Sequence, residues 1–342
     1  MKKILPFVVA LAMGAFLSAC DNPISMRTVV HEDGSLDKNI TLLKTDSARA
    51  LRNPFGISAS SGWHVVTERL RDSSESKPRY RISFDKHFDH VDAMNTELDT
   101  RADTLFQIHS NLDIRFRWFY TYMTYRETIR PVNRFKGVPA SDFFTREDSL
   151  FVERLPAEGK RITRADSLQL DMLNEKISER FVNRALFQES YDILAAVVKR
   201  HAEPRWLDTL AKYKSELYQY IEKKKGEPTL ARDAADTLGI PLPAAADKDF
   251  EEFSKDLNSR VSFMSFAQDG KYENAIEVPW SITYTNADSV AGSLAIWKPL
   301  VNKFVFRDYI MTVECRKLNW WAVVATLFLL AASGWLWFRK PE

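Results

Sequence analysis

The sequence predicts an α+β fold in which an antiparallel β-sheet domain is interrupted by a helical insertion and followed by one C-terminal transmembrane helix. Three observations carry this expectation. Apolar and polar residues alternate with period two through much of residues 24–140 and again after Gly270, the pattern of half-buried strands. Between 141 and 267 the apolar spacing changes to three and four, that of amphipathic helices. Residues 318–338 then run without a charge, long enough at 1.5 Å per residue to cross about 30 Å of hydrocarbon. The expected division is residues 1–19 as a signal peptide, 20–140 plus 268–317 as a split β-rich domain, and 141–267 as the helical insertion. Residues 318–338 follow as the membrane helix and 339–342 as a cytoplasmic tail.

The N-terminus carries Lys2 and Lys3, an apolar run from Ile4 to Phe16, and then Leu17-Ser18-Ala19-Cys20. A basic start, an apolar stretch and small residues describe an export signal. The last four residues resemble the lipobox of bacterial lipoproteins. By that resemblance Cys20 becomes the acylated first residue of the mature chain, carrying diacylglycerol and palmitate-type acyl chains.

In the body, Ile24 to Val30 and Leu36 to Lys44 flank Glu32-Asp33-Gly34-Ser35, two alternating runs about an Asp-Gly turn, and predict a hairpin. Trp63 to Leu70 and Arg79 to Phe84 read as a second strand pair, and Val91, Met94 and Leu98 mark a short helix within 88–101. The alternation from Ile114 through Phe116, Trp118, Tyr120 and Tyr122 predicts a strand, with Asn111 punctuating the hairpin before it. Leu170, Leu173, Ile177, Phe181, Tyr191, Leu194 and Val198 form a helical stripe over 164–200, and Pro204 starts another helix. Phe250, Phe253, Leu257, Val261 and Met264 mark one more. Strands are expected again over Ala275 to Tyr284, Leu294 to Trp297 and Phe304 to Cys315, the last running into the apolar segment.

That segment has Trp320 and Trp321 at one end and Trp335 and Trp337 at the other, followed by Arg339 and Lys340, the pattern of interfacial aromatic belts with a basic inner flank. An export signal and one span together place the body outside the cytoplasm, tethered at both ends to a bacterial cell membrane. Removing Lys2, Lys3, Arg339, Lys340 and Glu342 takes the formal net charge from +2 to −1, so the body itself is nearly neutral. That balance opposes nucleic-acid binding, which needs clustered cations. Cys20 and Cys315 are the chain's two cysteines, which excludes zinc sites built from four thiolates and CxxC redox pairs. Cys315 is expected either to be buried in a strand or to be available for a disulfide between chains.

The phosphate-loop, Gly-x-Ser-x-Gly and His-Glu-x-x-His patterns are missing from the sequence. One cluster, Asp85, His87, Asp89, His90 and Asp92, has metal-ligand residue types, with His87 and His90 a helical turn apart. Helix capping with acids in the first turn accounts for the same residues. Arg115, Arg117, Arg126 and Arg130 lie among aromatics that include Trp118, a combination suited to lipid headgroups or a partner's acids, or to cross-strand pairing with residues such as Glu127.

The opening strand with Glu32-Asp33-Gly34-Ser35, together with Pro279-Trp280, Asn286-Ala287-Asp288, Gly292 and Trp297, resembles the two ends of the LppM-like domain. The sequence departs from that pattern at Trp280, where the family usually has Gly, and in its long helical insertion. The resemblance implies an α+β, lipid-adjacent envelope module with no catalytic residues to carry over. The expected function is therefore that of a non-enzymatic, membrane-anchored lipoprotein without a cofactor, whose body binds membrane lipid or a membrane-protein partner. The alternative expectation is a metal-dependent envelope enzyme using the Asp85 to Asp92 cluster.

Overall fold

The computed structural model describes residues 23–44, 55–70, 79–99, 107–132, 134–223 and 231–338. They form an α+β fold of two sheets, helices between them in sequence, and a C-terminal apolar helix. Strands β1 (Ile24–Val30) and β2 (Leu36–Lys44) make the expected hairpin, with Val30 opposite Leu36. Its turn needs Gly34, whose φ of 91° is costly for any residue with a Cβ. The Asp33 carboxylate also accepts from the Ser35 amide and hydroxyl at 3.0 and 2.7 Å, closing the turn locally.

Strands β3 (His64–Leu70) and β4 (Arg79–Phe88) extend this sheet through β4, and α1 (Val91–Leu98) follows. On the other side of β1 lies β7 (Tyr272–Glu277), then β10 (Leu294–Trp297) and β9 (Ser289–Ala291), giving the order β3-β4-β2-β1-β7-β10-β9. Among the described ladders β1–β7 is the parallel one; the others are antiparallel. A parallel pair needs a long crossover, and here the second sheet and the helical segment supply it.

The second sheet has the order β5-β6-β11-β8, from β5 (Gln107–Phe116), β6 (Tyr120–Arg130), β11 (Tyr309–Leu318) and β8 (Ser281–Thr285). Three expectations change here. The aromatic run is a tight hairpin folding back at Trp118 and Phe119, and Asn111 sits within β5 rather than at a turn. The single strand expected over 275–284 is two, broken at Val278-Pro279-Trp280, because a proline has no N–H to give a ladder. Residues Lys303–Phe306 form a helical turn, α9, before β11 begins.

The helices are α2 (Arg146–Arg154), α3 (Arg164–Glu175), a π-helical stretch Lys176–Val182, α4 (Asn183–His201), α5 (Arg205–Lys212), α6 (Lys214–Lys223), α7 (Ala231–Thr237) and α8 (Ala246–Asp269). Leu173, Ile177, Phe181, Phe263 and Met264 join the sheets in one continuous core, where Phe181 meets Phe135 and Phe144 edge-on. A smaller apolar cluster, with Phe187, Leu194, Val198 and Leu210, lies among α4 to α7.

Between the two sheets the core holds a charged pair. Lys38 on β2 and Glu127 on β6 have side chains with no solvent exposure, and the Lys38 ammonium reaches the two carboxylate oxygens at 2.9 and 2.8 Å. Glu127 accepts further from Thr28 at 3.1 Å, Tyr125 at 3.1 Å and Asn274 at 2.8 Å. Satisfying both carboxylate oxygens in this way is what makes a buried charge tolerable. Burial, and the Glu127 charge after it, push the Tyr125 phenol well above its ordinary range, so it stays a donor.

Candidate functional site

Strand β11 passes through Leu318 and Asn319 directly into α10 (Trp320–Phe338), which is long and apolar enough to cross a membrane. The junction is made by Asn319. Its amide N–H donates to the Phe119 carbonyl at 2.8 Å, and its side-chain NH2 donates to the carbonyls of Arg117 (2.9 Å) and Trp118 (3.3 Å). Its side-chain oxygen accepts from the Thr121 hydroxyl at 3.0 Å. One buried side chain thus fastens the tip of the β5–β6 hairpin to the first turn of the helix.

The aromatic residues of that tip continue the contact along the helix. The Trp118 indole N–H donates to the Thr326 hydroxyl at 2.8 Å. Trp321 stacks on Phe116 at 6.1 Å and meets Trp118 edge-on at 5.3 Å. Phe116, Trp118 and Phe119 nonetheless remain 57, 46 and 43% exposed, as does Ile114 at 41%. Arg115 and Arg117 are exposed beside them; Arg115 pairs with Asp113 at 2.6 Å and not with Glu127, which is taken by Lys38. Trp320, Trp321, Trp335 and Trp337 are exposed along α10. Cys20, Arg339 and Lys340 lie outside the described residues, as does the signal segment 1–19.

A second group gathers at the β1–β2 turn. Glu32 accepts from the Trp280 indole at 2.7 Å and from the Lys317 ammonium at 2.6 Å, so this turn is held to the strand that leads into α10. Those two bonds, the Lys317 one foremost, hold the Glu32 carboxyl below its usual range. Beside Glu32, His31 Nε2 lies 2.8 Å from one oxygen of Asp37, and His87 Nδ1 lies 2.6 Å from the other. Sheet register explains the convergence. Asp37 and His87 are cross-strand partners, and both alternate outward from the inward-facing Lys38 and Phe88. His31 follows Val30 and takes the same outward phase. The hydrogen bond that His87 donates to Asp37 raises the His87 pKa. For Asp37, partial burial works the other way, but the two imidazoles hold its carboxyl low.

The donor atoms of His31, Asp37 and His87 all lie within 4.8 Å of one another, beside an open cleft of about 460 Å³ lined also by Glu32, Asp33 and Ser35. The alternative in which His87 and His90 share a helix face and a metal does not form, because β4 continues through Phe88 and His87 is on a strand. His90 is instead the N-cap of α1, accepting from the Ala93 amide at 3.1 Å. Asp85 accepts from Asn39, and Asp92 lies in the first turn of α1. His31 and Asp37 were not legible as partners of His87 because they are separated from it by some fifty residues, and strand pairing alone brings them together. Cys315 faces the core of the second sheet, where burial pushes its thiol up to about 11.

No protein-family model matches the chain, and no curated protein matches it. A solved structure does, the NMR structure of the folded domain of Mycobacterium tuberculosis LppM, at 9% identity over 87% of this chain and 91% of that one. The TM-score is 0.26, a weak likeness from which neither topology nor function is taken.

Proposed function

We propose that the chain is a non-enzymatic, membrane-anchored envelope lipoprotein whose body engages the lipid of its own bilayer through the tip of the β5–β6 hairpin. The observation that supports this best is the Trp118–Thr326 hydrogen bond. Thr326 lies six residues into α10, about 9 Å along the helix axis. If α10 spans the bilayer, the hairpin tip is carried below the surface with it. Its exposed Ile114, Phe116, Trp118 and Phe119 would be an apolar liability in water and are a fitting face for the acyl boundary. Arg115 and Arg117 alternate with the rings and offer cations to phosphate headgroups. Because the body is nearly neutral, adhesion would come from apolar insertion and a few placed cations rather than from general attraction. Lipidation at Cys20, on this reading, anchors the N-terminus in the same leaflet.

The full chain, with Phe119→Cys or, as a surface control, Ser60→Cys carrying an environment-sensitive fluorophore, is reconstituted into protein-free liposomes. The probe at 119 should be quenched by nitroxide lipids and shielded from aqueous iodide, and the probe at 60 should show the reverse. If both probes respond alike to iodide, lipid does not cover the tip and the proposal fails in favour of a protein partner.

A further inference from the structure

We propose that His31, Asp37 and His87 form a binding site for a first-row divalent transition metal of the zinc class, on the outer face of the larger sheet. Two imidazoles and a carboxylate suit zinc, nickel or copper, whereas magnesium and calcium prefer all-oxygen shells. The three side chains come from three separate segments, yet each carboxylate oxygen of Asp37 faces one ring nitrogen. Ligands in a tetrahedral zinc site stand roughly 3.3 Å apart, as bond lengths of about 2.0–2.2 Å require. The present separations of 2.6 and 2.8 Å are those of proton-bridged pairs, so metal would replace the bridging protons after the rings move by roughly half an ångström or slightly more. Exposure leaves room for that movement, since all three side chains are two-fifths or more exposed.

The surroundings favour a dication. Asp33 lines the same cleft, and Asp89 stands 3.8 Å from the free Nε2 of His87, where it can orient the ring as an outer carboxylate. Lys317 of β11, the cation that reaches this turn, is paired with Glu32. Three protein ligands leave at least one coordination position open towards the cleft. Through Glu32 and Lys317 the site is tied to the strand entering α10, which puts it near the membrane-facing end of the body.

The test uses the full chain in mild detergent, stripped with chelator and titrated with zinc chloride against a chromophoric competitor. One zinc per chain is expected, undisturbed by millimolar magnesium. Asp37→Asn, nearly isosteric, and the double change His31→Ala, His87→Ala should each weaken binding by at least about 100-fold, while His90→Ala leaves it unchanged. Cobalt(II) should give a d–d spectrum that the same variants abolish. Circular dichroism of the variants shows that the fold survives, and Asp37→Asn carries the test if the double variant does not fold. Absence of stoichiometric zinc in the parent chain, or equal affinity in Asp37→Asn, would overturn the proposal.

Discussion

Glu127 is the residue on which the largest stability prediction rests. Its carboxylate is completely buried and accepts from Lys38, Thr28, Tyr125 and Asn274, side chains belonging to both sheets. Glu127→Ala removes the acceptor and strands the Lys38 ammonium without solvent; losing one partner of a buried pair costs about 3–5 kcal/mol. At roughly 2–4 °C per kcal/mol for a domain of this size, the thermal midpoint should fall by about 6–20 °C. Lys38→Met should cost less than Glu127→Ala, because the three neutral donors still serve the carboxyl. The double change Lys38→Met, Glu127→Ala strands no charge and should cost well under the sum of the two single effects. The assay is thermal unfolding of the detergent-solubilised full chain followed by tryptophan fluorescence, at one scan rate throughout. A shift under about 2 °C for Glu127→Ala, or strictly additive single effects, would refute the claim that the pair is buried and coupled.

Two further outcomes follow from individual groups. The Glu32 carboxyl is held low in the folded chain, so its contribution is present above the unfolded value of 4.5 and is lost as pH falls through the lower, folded value. Glu32→Gln should therefore flatten the decline of the thermal midpoint between about pH 5 and pH 3, and an unchanged profile would show that the Lys317 and Trp280 contacts do not form. Cys315 is 1% exposed with its thiol raised to about 11, so iodoacetamide at pH 8 should label it only after denaturant is added. Rapid native labelling, or a disulfide-linked dimer, would place that strand at the surface.

The elements that depend on local chemistry were legible in the sequence. The β1–β2 hairpin follows from period two around Asp33-Gly34, and the helical stripe through Leu173, Ile177 and Phe181 faces the core as its spacing requires. The β5–β6 turn was not, since Trp118 and Phe119 carry no turn signal and continue the alternation unbroken. What stabilises that turn is Asn319, some two hundred residues away. The β7–β8 break did have a local sign in Pro279. The Lys38–Glu127 pair also left a trace: each is a charge set between apolar residues in the inward phase of its strand, Leu36, Ile40 and Leu42 in one case and Met123, Tyr125 and Ile129 in the other. Two opposite charges out of phase are a readable sign of a buried pair. The His31–Asp37–His87 group left none, because outward-facing polar residues are what any half-buried strand shows.

Asp37 and Lys38 are neighbours on β2 that serve opposite faces of the sheet, and this makes the two polar groups separable by experiment. A one-residue slip of β2 would carry Lys38 to solvent and Asp37 into the core. In Glu127→Ala that slip would relieve the stranded ammonium, worth about 3–5 kcal/mol. It would also expose Leu36, Ile40 and Leu42, all essentially fully buried, at about 1.5–3 kcal/mol each, or roughly 5–9 kcal/mol together. It would break the Asp33–Gly34 turn geometry that fixes the Val30–Leu36 pairing as well. The hydrophobic term outweighs the electrostatic one, so the register should hold and the variant should be destabilised without rearranging. Zinc affinity of Glu127→Ala, measured well below its thermal midpoint, is then expected within about threefold of the parent, a change under about 0.7 kcal/mol by RT ln 3. A loss as large as that of Asp37→Asn would mean that β2 had slipped and that the buried pair, not the apolar phase, sets its register.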